Sequence, residues 1–294
     1  MNRKSFLKNT LLGAFGIAVG AKSAQGAPQT NRSRSTYDKL MDQVGFNHLP
    51  NQEITTMKTV LHKAGTRGHA NHGWLDTSHT FSFANYFNPD RMHFGVLRVL
   101  NDDRVAPGRG FGRHPHDNME IISIPLEGDL EHKDSMGNVA VIKQGDLQVM
   151  SAGTGIYHSE YNKNADQEVK FLQIWLFPNK KNVAPRYDQI RLPEEDMENR
   201  LCQILSPNAD DEGVWIHQQA WFHMGNLRPG FSETYTTRQS GNGIYAFVIN
   251  GEVTIEGQGL GPRDGFGIWD TSQIRIQADS MARLLLMEVP MHIS

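Results

Sequence analysis

Two short motifs constrain this chain more than any other part of it. His114-Pro115-His116 and His158-Ser159-Glu160 each place two metal-binding side chains at positions i and i+2. On a β-strand such side chains point to the same face. Two strands bearing these pairs, laid side by side in a barrel, aim three imidazoles and one carboxylate at one interior point. Such a set suits a divalent transition metal, because imidazole binds Fe, Ni, Cu and Zn and the carboxylate adds a hard oxygen. The stretch between the pairs reads as hairpins. Leu126-Glu127-Gly128-Asp129, Asp134-Ser135-Met136-Gly137-Asn138 and Lys143-Gln144-Gly145-Asp146 are turn clusters. They separate β-rich runs such as Glu120-Ile121-Ile122-Ser123-Ile124 and Val139-Ala140-Val141-Ile142. His69, His72 and His79 lie in Gly/Asn-rich surroundings without strand spacing, and read as structural hydrogen-bonding groups.

Composition narrows the function classes. The chain has 294 residues, enough for two domains. The net charge is −3 and no basic stripe is present, which argues against nucleic acid as a partner. A single cysteine, Cys202, rules out an internal disulfide and a thiolate metal site, whereas 13 histidines direct attention to metal. Cys202 lies in the apolar run Leu201–Leu205 and reads as a buried structural thiol.

The first residues read as an address. Arg3, Lys4 and Lys8 form a positive region, residues 11–21 an apolar one, and Ala24-Gln25-Gly26-Ala27 a small-residue site. Residues 1–27 thus read as a signal peptide, too short to span a bilayer. Asn2-Arg3-Lys4-Ser5-Phe6-Leu7-Lys8 is similar to a twin-arginine signal with Lys in place of the second Arg. The expectation is a periplasmic protein with no stable membrane insertion after cleavage, and otherwise a cytoplasmic one. Residues 28–55 read as a polar linker with one short helix near Thr36–Gln43.

Residues 56–178 are expected to form an N-terminal metal-binding domain, opening with a strand at Thr56–Val60. Within it, Phe81, Phe83 and Tyr86 suggest a half-buried strand, and Asn101-Asp102-Asp103-Arg104 a turn. Residues 179–200 are charged and broken by Pro185 and Pro193, and read as a connector. Residues 201–294 form a second domain. Its short strand runs, evenly spaced by Gly/Asn/Asp/Pro turns, argue for an all-β sandwich or barrel. Asn250-Gly251-Glu252-Val253 matches Glu127-Gly128-Asp129-Leu130, so the second half reads as a degenerate copy of the first. It has Asp270 and Ser272 where the first has His158 and Glu160, and is expected to be metal-free.

Gly108, five residues, His114-x-His116-x-x-x-Glu120 and then Gly128 resemble the first motif of the cupins. Gly145, Gly153, His158 and Asn162 resemble the second. Longer segments are more specific: RGHANHGWLD, TFSFANYF, NDDRVAPG, FGRHPHDNMEI, LEGDLEHKDSMGN, GDLQVMSAGTGIYHSE, LQIWLFP and WIHQQAWF. Together they resemble the pirin family, in its bacterial branch, from about Met57 to the C-terminus. The resemblance implies a bicupin, with two β-barrel (jelly-roll) domains and one divalent metal ion in the N-terminal one. It implies His114, His116, His158 and Glu160 as ligands and no ligand role for Glu120. Fe2+ is the ion expected, and Zn, Ni, Cu, Co and Mn also suit the set.

The implied activity is that of a quercetinase: a metal-dependent dioxygenase cleaving a flavonol-like enolic aromatic, with that small molecule and O2 as its partners. Glu160 would serve as ligand and general base. Arg113, on the opposite face of its strand from His114, reads as a surface residue. Met119, Met150 and Phe171 are candidates for core or pocket lining. The alternative is a non-enzymatic, metal- or redox-responsive binding protein, and a metalloisomerase is a third reading. A monomer is expected.

Overall fold

The structure, a computed structural model, describes residues 56–293, so the signal peptide, linker and short helix expected in residues 1–55 lie outside the described residues. The first half contains β1 (Lys58–His62), β2 (Gly68–Asn71), β3 (Leu75–His79), β4 (Leu97–Val105), β5 (Gly110–His116) and β6 (Glu120–Glu127). It continues with β7 (Leu130–Asp134), β8 (Val139–Ile142), β9 (Asp146–Ser151), β10 (Ile156–Asn162), β11 (Val169–Leu176) and β12 (Arg186–Arg191). After a helical turn, α1 (Glu194–Met197), come β13 (Cys202–Ser206), β14 (Val214–Trp215), β15 (Trp221–Leu227), β16 (Ser232–Thr236) and β17 (Asn242–Asn250). The last strands are β18 (Val253–Ile255), β19 (Gln258–Leu260), β20 (Gly265–Trp269), β21 (Gln273–Ala278) and β22 (Ala282–Pro290).

These strands form two matching pairs of sheets. A seven-stranded sheet, β12-β9-β6-β11-β4-β3-β2, accompanies a four-stranded sheet, β5-β10-β7-β8. The second pair is β1-β20-β17-β22-β15-β13-β14 with β16-β21-β18-β19. The chain is therefore an all-β bicupin, as the motifs implied.

The two large sheets pack on each other: Ile122, Ile124, Val149 and Leu172 share one apolar cluster with Phe222, Tyr245, Phe247 and Leu285. Their other faces line the barrel interiors. Central strands are thus covered on both sides, and every residue of β6 except Glu127 is buried. This is why Glu120–Ile124 reads as an apolar run and not as an alternation. The outer strands alternate instead, as in β21, where Ile274, Ile276 and Ala278 are buried and their neighbours exposed.

Several local expectations change. Phe81–Tyr86 is not a strand: Phe83 and Tyr86 exchange backbone hydrogen bonds in a tight turn. Asn101–Arg104 is not a turn but the middle of β4. Its polar side chains are answered from both faces: Asn101 by His79 (2.9 Å), Asp103 by the Thr77 hydroxyl, and Asp102 by Arg67 and Arg263. Cys202 is half-buried on β13 and not enclosed.

Residues 179–200 supply more than a connection. β12 pairs with β9 along its whole length and closes one edge of the first sheet. Its residues are held by polar bonds, such as Gln189 Nε2 to Val141 O (3.1 Å) and Asp146 Oδ2 (3.0 Å). It therefore lacks the apolar pattern that marks a strand. β1 takes the corresponding edge of the second sheet by pairing with β20, although it comes from the start of the described residues. Its end is anchored by a buried 2.8 Å hydrogen bond between His62 Nδ1 and the Tyr245 hydroxyl.

Glu120 faces the second half. It is 1% exposed and accepts hydrogen bonds from Ser151 Oγ (2.6 Å) and from the backbone of His217. Burial pushes its carboxyl up to about 7, from an ordinary 4.5. Between those values the folded state binds the proton and the unfolded chain does not. Stability therefore falls as pH rises through this window. Glu120→Gln removes that dependence. The Tm of the variant minus that of the wild type, read by calorimetry, is expected to be larger at pH 8 than at pH 5. Equal differences would contradict the assignment.

Candidate metal centre

β5 and β10 pair antiparallel with His158 opposite His114 and Ile156 opposite His116. β10 alternates strictly, so Ile156, His158, Glu160 and Asn162 point inward while Tyr157 and Tyr161 are exposed. Gly110 lets the two strands approach, since a Cβ there would overlap the Glu160 carbonyl and the Tyr161 backbone. The result is three clustered imidazoles. The His114 and His158 rings are 4.4 Å apart, His114 and His116 4.9 Å, and His116 and His158 4.8 Å. One nitrogen from each lies within 4.8 Å of the others.

The nitrogens are poised for a cation. His114 Nδ1–H donates to the Gly112 carbonyl at 2.7 Å, which leaves Nε2 for the cluster. His116 Nε2 and both ring nitrogens of His158 are buried with no hydrogen-bond partner. Each such group costs on the order of 1–3 kcal/mol if left unsatisfied, and one ion answers several at once. Burial, reinforced by the neighbouring imidazoles, holds His116 down at about 3 and His158 likewise at about 3. Both rings are thus neutral at pH 7, the form that ligates metal. Trp175 meets His116 edge-on at 4.8 Å and, like Met119, packs on the cluster of Ile121, Met150, Ala152 and Ile156. Phe171 belongs to a separate cluster with Leu75, Val105 and Leu130.

Glu160 is 3% exposed and points to the same interior. Its carboxylate accepts from Gln173 Nε2 at 3.0 and 3.2 Å and from Ser123 Oγ at 3.1 Å. It groups with His158 and a further imidazole, His132, again with ligand atoms within 4.8 Å of one another. His158 is thus common to two groups of candidate ligands, one with His114 and His116 and one with His132 and Glu160. His132 sits opposite Glu160 across β7 and β10. The signal was present in Leu130-Glu131-His132-Lys133-Asp134, where strand alternation sends His132 inward with Leu130. Tyr187 was also missed, because it lies on β12. Its ring is 4.7 Å from that of His132.

The other singled-out residues stand apart. His79 Nδ1 is paired with Asn101, and His69 Nε2 with Asp76 at the surface (2.9 Å). The Arg113 guanidinium lies over the exposed Tyr157 ring at 4.2 Å, on the outer face. In the second barrel β21 lies between β16 and β18, as β10 lies between β5 and β7. Asp270 and Ser272 precede β21, and the inward positions hold Ile274 and Ile276, part of an apolar cluster filling that barrel.

A pair of cupin barrels, the first enclosing an imidazole–carboxylate pocket with unpartnered nitrogens, defines a bicupin of the metal-binding type. Residues 58–176 match the Pirin family, and residues 203–289 match the family described as the quercetinase C-terminal cupin domain. The chain belongs to the pirin family. It is 44% identical to quercetin 2,3-dioxygenase of Escherichia coli K12 over 230 residues, covering 78% of this chain and 98% of that protein. A pirin-like protein of Caulobacter vibrioides is 39% identical over 222 residues, 75% of this chain and 95% of that protein. Among solved structures, a bacterial pirin from E. coli in complex with nickel(II) superposes with a TM-score of 0.76 at 42% identity, covering 79% of this chain and 99% of that one.

An ion bound only by the folded protein stabilises it by about 2.7 kcal/mol at 100 times its Kd. Nickel(II) is therefore expected to raise the Tm in a thermal-shift titration. His158→Ala, which removes the residue common to both triads, should abolish that rise. A Tm indifferent to divalent ions would count against the site.

Proposed function

We propose that this chain is a metal-dependent dioxygenase that opens a flavonol-like enolic aromatic with O2, its ion held by His114, His116, His158 and Glu160. The observation that carries the reading is the cluster of buried, unpartnered imidazole nitrogens in the first barrel of a chain related to quercetin 2,3-dioxygenases. A divalent ion there, Fe2+ in this proposal, would supply a Lewis-acidic, redox-capable point at which an enolic substrate and O2 can meet.

The chain's own groups do the rest. Glu160 takes the enolic proton at a carboxylate oxygen, the role of a positioned general base. Gln173 Nε2 and Ser123 Oγ donate to that carboxylate and hold it inside the barrel. Trp175 sets an apolar ring beside His116, backed by the cluster that contains Met150, which suits a flat aromatic and the exclusion of water. The leader read in residues 1–27 would place this activity in the periplasm, a proposal that cell fractionation checks.

The test is oxygen uptake with quercetin by metal-reconstituted protein. Uptake that depends on the ion and falls by at least about 100-fold in His116→Ala, in line with the loss of a metal-bound electrophile worth several kcal/mol, supports the proposal. A protein that holds one ion per chain and consumes no O2 would overturn the dioxygenase reading and favour a metal-responsive binding protein.

A further inference from the structure

An ion in the first barrel answers imidazole lone pairs, but one unpartnered group beside them is of the opposite kind. Trp175 Nε1 is buried and has no hydrogen-bond partner. An indole N–H is a donor and never an acceptor, so a cation cannot satisfy it. A buried indole N–H ordinarily finds an acceptor, and one that does not needs a reason. Its surroundings supply no acceptor. Trp175 lies opposite Ile121, which in turn lies opposite Met150, and the ring packs on the apolar cluster of those two residues with Ala152 and Ile156. It stands edge-on to His116 at 4.8 Å and to Phe83 at 5.4 Å. The next inward row is polar and already paired: Ser123 and Gln173, opposite each other on β6 and β11, both donate to Glu160. Trp175 also stands on the open side of the site. His114, His116 and Trp175 are partly exposed, whereas His158 and Glu160 are buried. A molecule entering the pocket meets these three side chains first.

Resting on the flavonol reading above, we propose that Trp175 orients the substrate: its Nε1–H donates to a carbonyl or enolate oxygen of the bound aromatic. Pockets for small molecules are mostly apolar, with a few placed polar groups that fix orientation, and this N–H is such a group within an apolar wall. The ligand class follows from the chemistry of the donor. It is a flat aromatic with an oxygen acceptor close to the atoms that meet the ion. An aromatic lacking that oxygen leaves the N–H unpaired and is bound less well, so the indole selects for the oxygenated ring. No proton is transferred to or from Trp175. A donor role accounts for the orphan Nε1, for its place beside His116 and for the partial exposure of its ring together.

The experiment watches the N–H itself. The full chain, isotope-labelled at its five tryptophans and loaded with zinc, is titrated with quercetin in the absence of O2 and followed by nuclear magnetic resonance. The Trp175 indole signal is the one most strongly broadened when nickel(II) replaces zinc, and it is missing from Trp175→Phe, which removes the N–H and keeps an aromatic ring. Quercetin is expected to move that signal downfield, as an indole N–H that gains an acceptor does. Trp175→Phe is expected to bind quercetin about 5–10-fold more weakly, the value of one hydrogen bond. The wild-type titration requires no variant to fold. Quercetin binding that leaves the Trp175 signal unmoved would overturn the assignment and leave the dioxygenase reading standing, the N–H being directed instead at a neighbouring ring face. A zinc-loaded chain that binds no quercetin would overturn the flavonol reading, and this proposal with it.

Discussion

With His158 opposite His114 across β5 and β10, and Glu160 opposite His132 across β10 and β7, two strand pairings decide which side chains meet inside the first barrel. Side-chain direction in a strand has a period of two, so a one-residue slip of β10 would turn His158 and Glu160 out to solvent and bring Tyr157 and Tyr161 inside. Register is defended by burial: Ile156 and Asn162 lie on the inward face, and Asn162 Nδ2 is tied to Val105 O (2.9 Å) and Gln167 O (2.8 Å). What the register assembles is costly unless a cation is present. Burial strips the imidazoles of water, their proximity opposes protonation, and their inward nitrogens find no protein partner.

The scaffold holds this register by covering its main sheets on both faces. β6 and β11 present one face to the pocket, through Ser123, Gln173 and Trp175, and the other to the second half, through Ile122, Ile124 and Leu172. The second barrel is filled with apolar side chains, and Phe222, Phe247 and Leu285 on the outer face of its large sheet give the first a dry wall to pack against. The sheet edges are closed by strands from unexpected places, β1 from ahead of the first barrel and β12 from between the halves. β12 also delivers Tyr187 to His132, so a stretch that looks like linker braces the pocket.

What was legible in the sequence follows from where each strand lies. The His114/His116 and His158/Glu160 pairs sit on strands with one face wet, where spacing of two is visible, and the turns between them carry glycines such as Gly128 and Gly145 in left-handed conformations. Both features can be read without a structure. β12 could not be read, because most of its residues are polar and held by hydrogen bonds, although Ile190 packs on the apolar core. The middle of β4 was hidden for the same reason: Asn101, Asp102 and Asp103 look like a turn until their partners from distant segments are known. His132 escaped because a lone histidine between two pairs has no spacing partner of its own. Only the pairing of β7 with β10 shows that it shares the pocket.

The central claim is that these inward nitrogens exist to hold one ion. The direct measurement is an anomalous-scattering map from crystals of the full chain grown with nickel(II) or iron(II). One peak per chain is expected, inside the first barrel and within bonding distance of His158 and at least two other donors of the pocket. A map with no peak there, or with its strongest peak elsewhere on the molecule, would contradict it.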